Sequence, residues 1–297
     1  ALDELAQALG LDDHQRLLQA RGLLTRGGSV TTAGYLLFGR TPQDAFPNAY
    51  VRVLRYQGRV RGAGARQQLL DDVACNGPVP QVIRSAILAV RRLEPRRRVL
   101  ERDRFVQQGL VPEAAWVEGI VNAVVHRSYS LGGDHVRVEI FDDRIEIESP
   151  GRFPGLVRIT DPRKIVRFAR NPRLARVCTD LGFGQELGEG IRRMFEEMRM
   201  RSLAEPLYTQ TTATVRLTLS AAVVDPELAA RLPAQYPRIL AMLRADTPVS
   251  TGDVAEALGL ARPTAVRYLK ALREAGLIEW VGKSARDPRA YWRLHSE

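Results

Sequence analysis

Glu118 to Ser130 reads EGIVNAVVHRSYS, and this stretch decides how the rest of the chain is interpreted. Glu118 and Asn122 are four residues apart, so on a helix they share one face. The apolar residues around them form a stripe that we expect to be buried, namely Val117, Ile120, Val121, Val124 and Val125. We therefore expect the polar side chains, continued by His126 and Arg127, to face a cleft.

Two interpretations of this polar face are open from the stretch alone. A carboxylate in a cleft can orient or deprotonate water, and a carboxamide oxygen can hold a hard cation such as Mg²⁺. The alternative is that Glu118 and Asn122 form the solvated face of an amphipathic helix. Segments further along the chain favour the first interpretation.

The first of these segments is a predicted hairpin. Residues 136–147, VRVEIFDDRIEI, alternate in polarity about a turn at Asp142-Asp143, and the second strand ends in Ser149-Pro150-Gly151. The second segment is GFGQELGEG, residues 182–190, which precedes the helical pattern IRRMFEEMRM. Backbone N–H groups at such a helix start can bind an anion, although the same pattern also occurs in ordinary turns.

Together these segments resemble a known ATP-binding family. Their order resembles the GHKL fold of gyrase, Hsp90-type chaperones, MutL and histidine kinases. NAVVHRSYS, VRVEIFDDRIEIESPGRFP, RNPRLARV and GFGQELGEGIRRM are similar to the RecG-like GHKL subfamily of bacterial AlbA/Schlafen-type transcriptional regulators. The resemblance covers roughly residues 20–220 and implies an α+β fold, a GHKL-type α/β sandwich. Because that family commonly has an AlbA domain in front, we expect the chain to start within a longer protein.

The resemblance also implies roles for individual residues. Glu118 corresponds to the water-activating glutamate, and Asn122 to the asparagine that holds Mg²⁺. Gly151 corresponds to the glycine of the adenine-side turn, and Gly188 and Gly190 to the glycines beside the phosphates. ATP and Mg²⁺ are the cofactors that this correspondence implies.

The chain departs from the family at one position of the adenine pocket. GHKL proteins that hydrolyse ATP have an aspartate just before the turn, which accepts the adenine amino proton. Ser149 stands there, and Glu148 is one residue away. An uncharged hydroxyl accepts a hydrogen bond more weakly than a carboxylate. Adenine selectivity and ATP hydrolysis therefore stay open.

Composition limits the function classes. The net charge of +10 over 297 residues favours polyanionic partners. The sequence shows neither a transmembrane span nor a secretory signal, and two distant cysteines, Cys75 and Cys178, indicate reduced thiols, so we expect a cytoplasmic protein. We interpret Arg96-Arg97-Arg98 as a solvated helix face or loop rather than a binding patch.

The remaining periodicity predicts the domain organisation. Residues 1–30 form a helical lead-in segment, 31–222 the GHKL ATPase-like domain, 223–232 a linker and 233–297 a small winged helix-turn-helix domain. Within the second of these, we predict a long helix over residues 71–92, interrupted near Pro78 and Pro80, and a strand over residues 211–220 that closes the sheet.

The last segment follows the winged-helix order. A helix from Tyr236 precedes TGDVAEALGL with Ser250 as N-cap, and Arg262 to Ala275 forms a second helix that Gly276 ends. Two short strands follow. This order resembles bacterial winged-helix repressors over residues 236–294.

The side chains of this segment predict contacts with double-stranded DNA. On the second helix we interpret Val266, Leu269 and Leu272 as the core stripe. The predicted DNA-contacting residues are Arg262, Thr264, Arg267, Tyr268 and Lys270 on that helix and Lys283, Arg286 and Arg289 in the wing. The alternative is a winged helix that binds protein.

Two functions therefore follow from the sequence. The first is a DNA-binding transcriptional regulator, a homodimer, whose GHKL-like module binds a nucleotide effector or serves dimerisation. The second is a Mg²⁺-dependent GHKL ATPase that acts on DNA. A helicase motor is not expected, because the sequence has no Walker A phosphate loop.

Overall fold

The structure, a computed structural model, describes residues 2–10, 13–62, 64, 68–101, 103–153, 169–184, 189–224, 235–243, 248–282 and 290–294. It divides into two compact units, Ala1–Ala221 and Ala222–Glu297. Most of the predicted linker, 225–232, lies outside the described residues.

The first unit contains both helices and strands. The described helices are α1 (Leu2–Leu9), α2 (His14–Ala20), α3 (Thr32–Phe38), α4 (Val79–Leu93), α5 (Glu113–Val125), α6 (Pro172–Asp180) and α7 (Gly190–Met200). The described strands are β1 (Val51–Tyr56), β2 (Leu69–Cys75), β3 (Arg96–Glu101), β4 (Arg104–Gly109), β5 (Val136–Ile140), β6 (Arg144–Pro150), β7 (Leu207–Gln210) and β8 (Thr214–Ser220). The predicted α+β class is confirmed.

Within the described residues, six strands form one mixed sheet in the order β2-β1-β5-β6-β8-β7. β1 and β5 are parallel, whereas the other neighbours are antiparallel. Alternate residues of these strands join the main hydrophobic core, for example Val51 and Val53 on β1 and Ile145 and Ile147 on β6. The predicted hairpin from Val136 is present, with β5 and β6 as its strands.

The helices of the first thirty residues belong to the same core as the sheet. Leu5 of α1, Leu17 of α2 and Leu23 after α2 are fully buried in it. Asp13 caps α2 by accepting a hydrogen bond from the Arg16 N–H, and Arg21 forms an ion pair of 2.7 Å with Asp180 of α6. These contacts attach the start of the chain to the body of the first unit.

Two sequence predictions for this unit are wrong. Residues 69–75 form β2, an edge strand paired with β1, and the helix begins only at Val79. Pro78 and Pro80 start α4 instead of interrupting a longer helix, because proline is tolerated in the first helical turn. Arg96 to Arg98 lie on β3, which pairs with β4 as a separate two-stranded sheet.

The strand at the end of the first unit lies inside the sheet rather than at its edge. β8 pairs with β6 on one side and with β7 on the other, so β7 is the outer strand. The helix predicted after residue 190 is confirmed as α7, which begins at Gly190.

The second unit contains three described helices and two strands. These are α8 (Tyr236–Leu243), α9 (Thr251–Leu258), α10 (Arg262–Glu274), β9 (Ile278–Val281) and β10 (Tyr291–Leu294). β9 and β10 are antiparallel, and Val249 adds a bridge to Trp292 on β10. The unit has its own core, which includes Ile239, Val254 and Leu269.

Local signals set the ends of α9 as the sequence predicted. Ser250 is the N-cap: its hydroxyl accepts from the Asp253 N–H, while the Asp253 carboxylate accepts from the Ser250 N–H. This capping box leaves fewer unsatisfied N–H groups at the helix start. Gly259 ends the helix with φ at +62°, a conformation that glycine adopts at little cost.

Candidate functional site

Helix α5 lies directly on the sheet, and this position places Glu118 and Asn122. A Cβ at Gly119 would be 2.7 Å from side-chain atoms of both Ile147 on β6 and Leu217 on β8. The absence of a side chain at Gly119 therefore allows the helix backbone to approach the strands. Glu118, next to this contact, is a buried carboxylate.

Both carboxylate oxygens of Glu118 accept hydrogen bonds. Oε1 accepts from Asn122 Nδ2 at 2.9 Å, which confirms that the two residues share a helix face. Oε2 accepts from Arg193 Nη2 on α7 at 3.1 Å. The carboxylate also lies against Gly190, the first residue of α7, where a Cβ would overlap it. Glu118 is thus held at the start of α7, where the helix dipole favours a negative charge.

The position predicted to contact adenine holds the Ser149 hydroxyl instead of a carboxylate. The Ser149 hydroxyl donates to the Ala123 carbonyl of α5 at 2.7 Å, so it ties β6 to the helix. Glu148 cannot replace the missing aspartate, because successive residues of a strand point to opposite faces. Its carboxylate is bound by Arg216 at 2.6 Å and by Arg137 at 3.3 Å on the other face of the sheet.

The turn after β6 is close to a second cationic residue. Gly151 has φ at +118°, a backbone conformation that favours glycine. A Cβ there would be 3.0 Å from Ser128 Cβ and 3.7 Å from the Arg170 guanidinium carbon. Gly151 and Arg170 are therefore neighbours, although 19 positions separate them in the sequence.

His126, which follows α5, is partly buried close to Arg170. Asn171 Nδ2 donates to the carbonyls of Val125 and Arg127 at 2.8 Å each, which fixes the backbone on both sides of His126. Burial lowers the pKa of His126 to about 4, and Arg170 contributes in the same direction. Its Nδ1 has no hydrogen-bond partner among the described residues. A neutral imidazole is therefore available beside Arg170.

Arg127 has a structural role rather than one in the cleft. Its guanidinium is buried and donates to the carbonyls of Ser128, Leu131 and Asp134. These three bonds shape the loop between α5 and β5. The polar group predicted from the sequence is thus divided: Glu118 and Asn122 pair with each other, whereas Arg127 binds backbone.

Arg193 and Arg170 were missed by the sequence interpretation. Arg193 is 75 positions from Glu118, so no local spacing links them. The available signals were weak: Arg193 follows Gly190 by one helical turn, and Arg170 directly precedes Asn171. Gly188, which the resemblance places beside the phosphates, lies outside the described residues.

These residues fit ATP only in part. Arg170, Arg193 and the N–H groups at the start of α7 are of the types that bind phosphate in proteins. The Asn122 carboxamide oxygen is of a type that ligates Mg²⁺. The adenine end fits less well, because the Ser149 hydroxyl, which donates to Ala123, can accept from an amino group only as an uncharged oxygen, and Glu148 points to the other face. The described residues therefore include the Glu118–Asn122 pair of the family correspondence but no carboxylate at the adenine position.

The outer face of α10 is the candidate DNA-contacting surface. Of the predicted contact residues, Arg262, Arg267 and Lys270 are exposed, and Thr264 and Tyr268 are partly buried. Tyr268 packs against the core of the second unit, and the Arg267 guanidinium carbon lies 5.6 Å from its ring centre. Lys270 forms an exposed ion pair of 3.8 Å with Glu274.

Val266 was assigned wrongly to the core stripe of this helix. The core positions are Ala265, Leu269 and Leu272, whereas Val266 is 47% exposed. The 3.6-residue period places Val266 with Arg262 and Lys270, four positions away on either side. An apolar side chain on this face is suited to contact with a thymine methyl group.

The predicted wing is described only at its strands. Lys283, Arg286 and Arg289 lie outside the described residues. Trp292 on β10 anchors the strands, because its Nε1 donates to the Thr251 hydroxyl at 3.0 Å and its ring centre is 4.9 Å from that of Trp280.

Other kinds of site have little support in the part of the chain that the structure describes. It contains no group of three or more His, Cys, Asp or Glu side chains that could hold a metal ion. None of its helices is both long and apolar enough for a membrane span. Cys75 and Cys178 are buried thiols, and burial raises the pKa of Cys75 to about 11 and of Cys178 to about 12.

Two protein-family models match the chain, one in each of its two units. Residues 133–219 match the family model described as "Putative ATP-dependent DNA helicase recG C-terminal". Residues 238–281 match a family model described as "Helix-turn-helix domain". The chain joins a RecG-C-terminal-like domain to a helix-turn-helix domain. This confirms the architecture that the resemblance implied and provides a DNA-binding type of domain beside an ATPase-like one.

A solved structure has the same fold. The DIP2311 protein from Corynebacterium diphtheriae is 21% identical, with a TM-score of 0.61 over 99% of this chain. The match covers 60% of the chain of that structure. No curated protein matches this sequence significantly.

Proposed function

We propose that the protein is a transcriptional regulator that binds duplex DNA through its helix-turn-helix domain. The ATPase-like domain serves as a sensor for a nucleotide, or as a dimerisation platform, and does not hydrolyse ATP. The observation that supports DNA binding most strongly is the exposed face of α10, where Arg262, Arg267 and Lys270 surround Val266.

The chemistry of this face suits the major groove. Arginine binds guanine through two hydrogen bonds, and an exposed aliphatic side chain can contact a thymine methyl group. The opposite face of α10 is held by the buried Ala265 and Leu269, so the helix presents its cations from a packed scaffold. The net charge of +10 over the whole chain favours the same partner.

We propose a homodimer because of the way in which helix-turn-helix proteins bind their operators. Helix-turn-helix proteins commonly bind two half-sites one helical turn apart, and a two-fold symmetric protein matches a two-fold symmetric operator. The ATPase-like domain is the part of the chain that we propose for this association.

The surroundings of Glu118 argue against hydrolysis. A general base must be free to accept a proton from water. Each oxygen of Glu118 accepts one hydrogen bond, from Asn122 or from Arg193, and keeps a lone pair, but the carboxylate is buried and lies against Gly190, which limits the access of water. We therefore propose that Glu118 holds α7 against α5 and that a bound phosphate is sensed by Arg193.

One observation favours the alternative, a Mg²⁺-dependent ATPase that acts on DNA. Glu118 and Asn122 are side by side, as the family correspondence requires, and α7 begins next to them. Displacement of Arg193 towards a bound phosphate would release the carboxylate. The two functions thus differ in what a bound nucleotide does to Glu118.

The test is calorimetric titration of ATP and ADP with and without Mg²⁺, together with an assay of phosphate release. We expect binding without sustained release of phosphate. Asn122→Ala should remove the Mg²⁺ dependence, and Glu118→Ala should retain binding. Glu113→Ala, on the exposed first turn of the same helix, is the matched control.

Other outcomes assign the function differently. Phosphate release that Glu118→Ala abolishes would establish the ATPase instead. If no nucleotide binds, the sensor proposal fails and sedimentation of the wild-type protein tests the dimerisation platform.

A further inference from the structure

The hairpin of β3 and β4 is a separate surface of the first unit. The two strands pair with each other from Arg96↔Gly109 to Glu101↔Arg104 and form a sheet of their own. Leu100 and Phe105, directly opposite each other, are 64% and 60% exposed. Two neighbouring large apolar side chains with this exposure indicate a contact surface.

One face of the hairpin combines cations with exposed apolar groups. Directly opposed residues of two strands share a face, and alternate residues of each strand do so too. The members of this face are Arg96, Arg98, Leu100, Phe105, Gln107 and Gly109, which include no acid. The Arg98 guanidinium carbon lies 4.4 Å from the centre of the Phe105 ring.

Among the described side chains, the two arginines of this face have no acidic partner. Arg96 and Arg98 are exposed, and no carboxylate whose side chain the structure describes forms an ion pair with them. Residues 96–109 contain five arginines against Glu101 and Asp103, a net charge of +3. This charge is available to a polyanion.

The base of the hairpin is anchored in the unit. The buried Glu94 accepts from the Val111 N–H at 3.1 Å, and its carboxylate packs against Gly109, where a Cβ would be 2.7 Å from Glu94 Cδ. Arg201 donates to the Gly109 carbonyl at 2.8 Å. These contacts attach the end of the hairpin to the rest of the first unit.

We propose that the β3–β4 hairpin is a second DNA-binding surface, distinct from α10. Arg96 and Arg98 contact phosphates, while Leu100 and Phe105 on the same face pack against sugar and base edges in a groove. Exposed arginines beside an apolar side chain are a known combination for backbone and minor-groove contacts. The choice of duplex DNA as the partner rests on the proposed function.

Charge argues against a second copy of this chain as the partner that binds the hairpin. Two hairpins with a charge of +3 each would repel, and the face carries no acid to compensate. A duplex instead offers one negative charge per about 1.7 Å of helix axis.

The experiment measures binding of the full chain to fluorescein-labelled duplex DNA of random sequence, over a series of salt concentrations. The hairpin variant replaces Arg96 and Arg98, the two cations of the proposed face, by Gln. We expect affinity at low salt to fall at least about tenfold. The slope of log K against log salt should become shallower by about one for each arginine that no longer neutralises a phosphate. The charge-matched control replaces the exposed Arg26 and Arg40 by Gln and should keep the wild-type slope.

A variant of α10, Arg262→Gln with Arg267→Gln, separates this inference from the proposed function. If the α10 variant binds DNA more weakly and the hairpin variant keeps the wild-type salt slope, the hairpin proposal is wrong and the proposed function stands. Reduced affinity in the hairpin variant alone would support the hairpin proposal and overturn the use of α10. Failure of the wild-type protein to bind at low salt would overturn both.

Sedimentation tests whether a second copy of the chain binds the hairpin instead of DNA. If Leu100→Ser with Phe105→Ser converts a dimer to a monomer and leaves DNA affinity unchanged, the hairpin is an interface between copies and the inference is wrong. An unchanged oligomeric state with weaker DNA binding supports it.

Discussion

The Glu118 carboxylate and the Gly190 backbone occupy neighbouring positions that leave no room for a side chain at residue 190. The contact joins the middle of α5 to the first residue of α7, 72 positions later in the chain. Arg193, on the first turn of α7, donates to the same carboxylate at 3.1 Å. A glycine that resembles a phosphate-loop residue in the sequence therefore also has a packing role.

Gly190→Ala should lower the free energy of unfolding of the first unit by about 1–3 kcal/mol, the usual cost of overpacking. The reason is the overlap of the new Cβ with Glu118. Addition of Glu118→Ala should recover part of this stability, because it removes the overlapping carboxylate. Urea unfolding of the single and double variants measures both effects.

Gly132→Ala is the control for this prediction, since a Cβ there has no neighbour within 4 Å. Equal stability of Gly190→Ala and Gly132→Ala would contradict the packing role of Gly190. If the double variant loses more unfolding free energy than the two single variants lose together, the proposed contact with Glu118 is contradicted.

Local relationships were the ones that the sequence could predict. The pair of Glu118 and Asn122 and the capping box of Ser250 and Asp253 each lie within one helical turn, so spacing alone indicates them. The order of the motifs predicted the domain order. Gly259 ends α9 because glycine adopts its positive φ easily.

The features that the sequence did not predict depend on how the helices and strands pack together. Residues 69–75 have apolar and acidic residues without a clear period, and only the hydrogen bonds to β1 make them a strand. Arg193 reaches Glu118 from a distant helix. Val266 resembles a core residue by type, and its exposure follows from the way α10 packs through Ala265 and Leu269.

The pH dependence of stability should include a contribution from His126. Burial lowers its folded pKa to about 4 from an unfolded value of about 6.5, so the unfolded chain binds the proton more tightly. The contribution is fully present above pH 6.5 and is lost as the pH falls towards 4. Its upper limit is about 3 kcal/mol.

Urea unfolding between pH 4 and 8 of the wild type and His126→Gln measures this contribution. The difference in unfolding free energy between the two proteins should diminish as the pH falls through this window. His14→Gln, which removes a half-exposed histidine of the same unit, is the control. A pH-independent difference would show that His126 does not titrate as its burial requires.

The helix-turn-helix domain should fold and bind duplex DNA as the isolated fragment 233–297, because its core is its own. In the full chain, Arg267→Ala should weaken binding to a selected operator by about 1–3 kcal/mol if the side chain contacts a guanine. Arg84→Ala removes the same charge from the first unit and should have little effect. Fluorescence anisotropy with operator and random duplexes distinguishes the roles, since an equal reduction on both would assign Arg267 to a phosphate.

The last prediction couples the two domains through thermodynamic linkage. An anion bound at the start of α7 competes with Glu118 for Arg193, and we expect this rearrangement to change the distance between the two helix-turn-helix domains of a dimer. DNA affinity should then change by about 1–3 kcal/mol, the typical size of such coupling. By reciprocity, operator DNA must change the affinity for nucleotide by the same factor. Calorimetric titration of ATP with Mg²⁺ into the protein, with and without a selected operator, measures this factor, and Arg193→Gln should abolish it. Equal dissociation constants in the two titrations would mean that the domains act independently, with the ATPase-like domain left as a dimerisation platform.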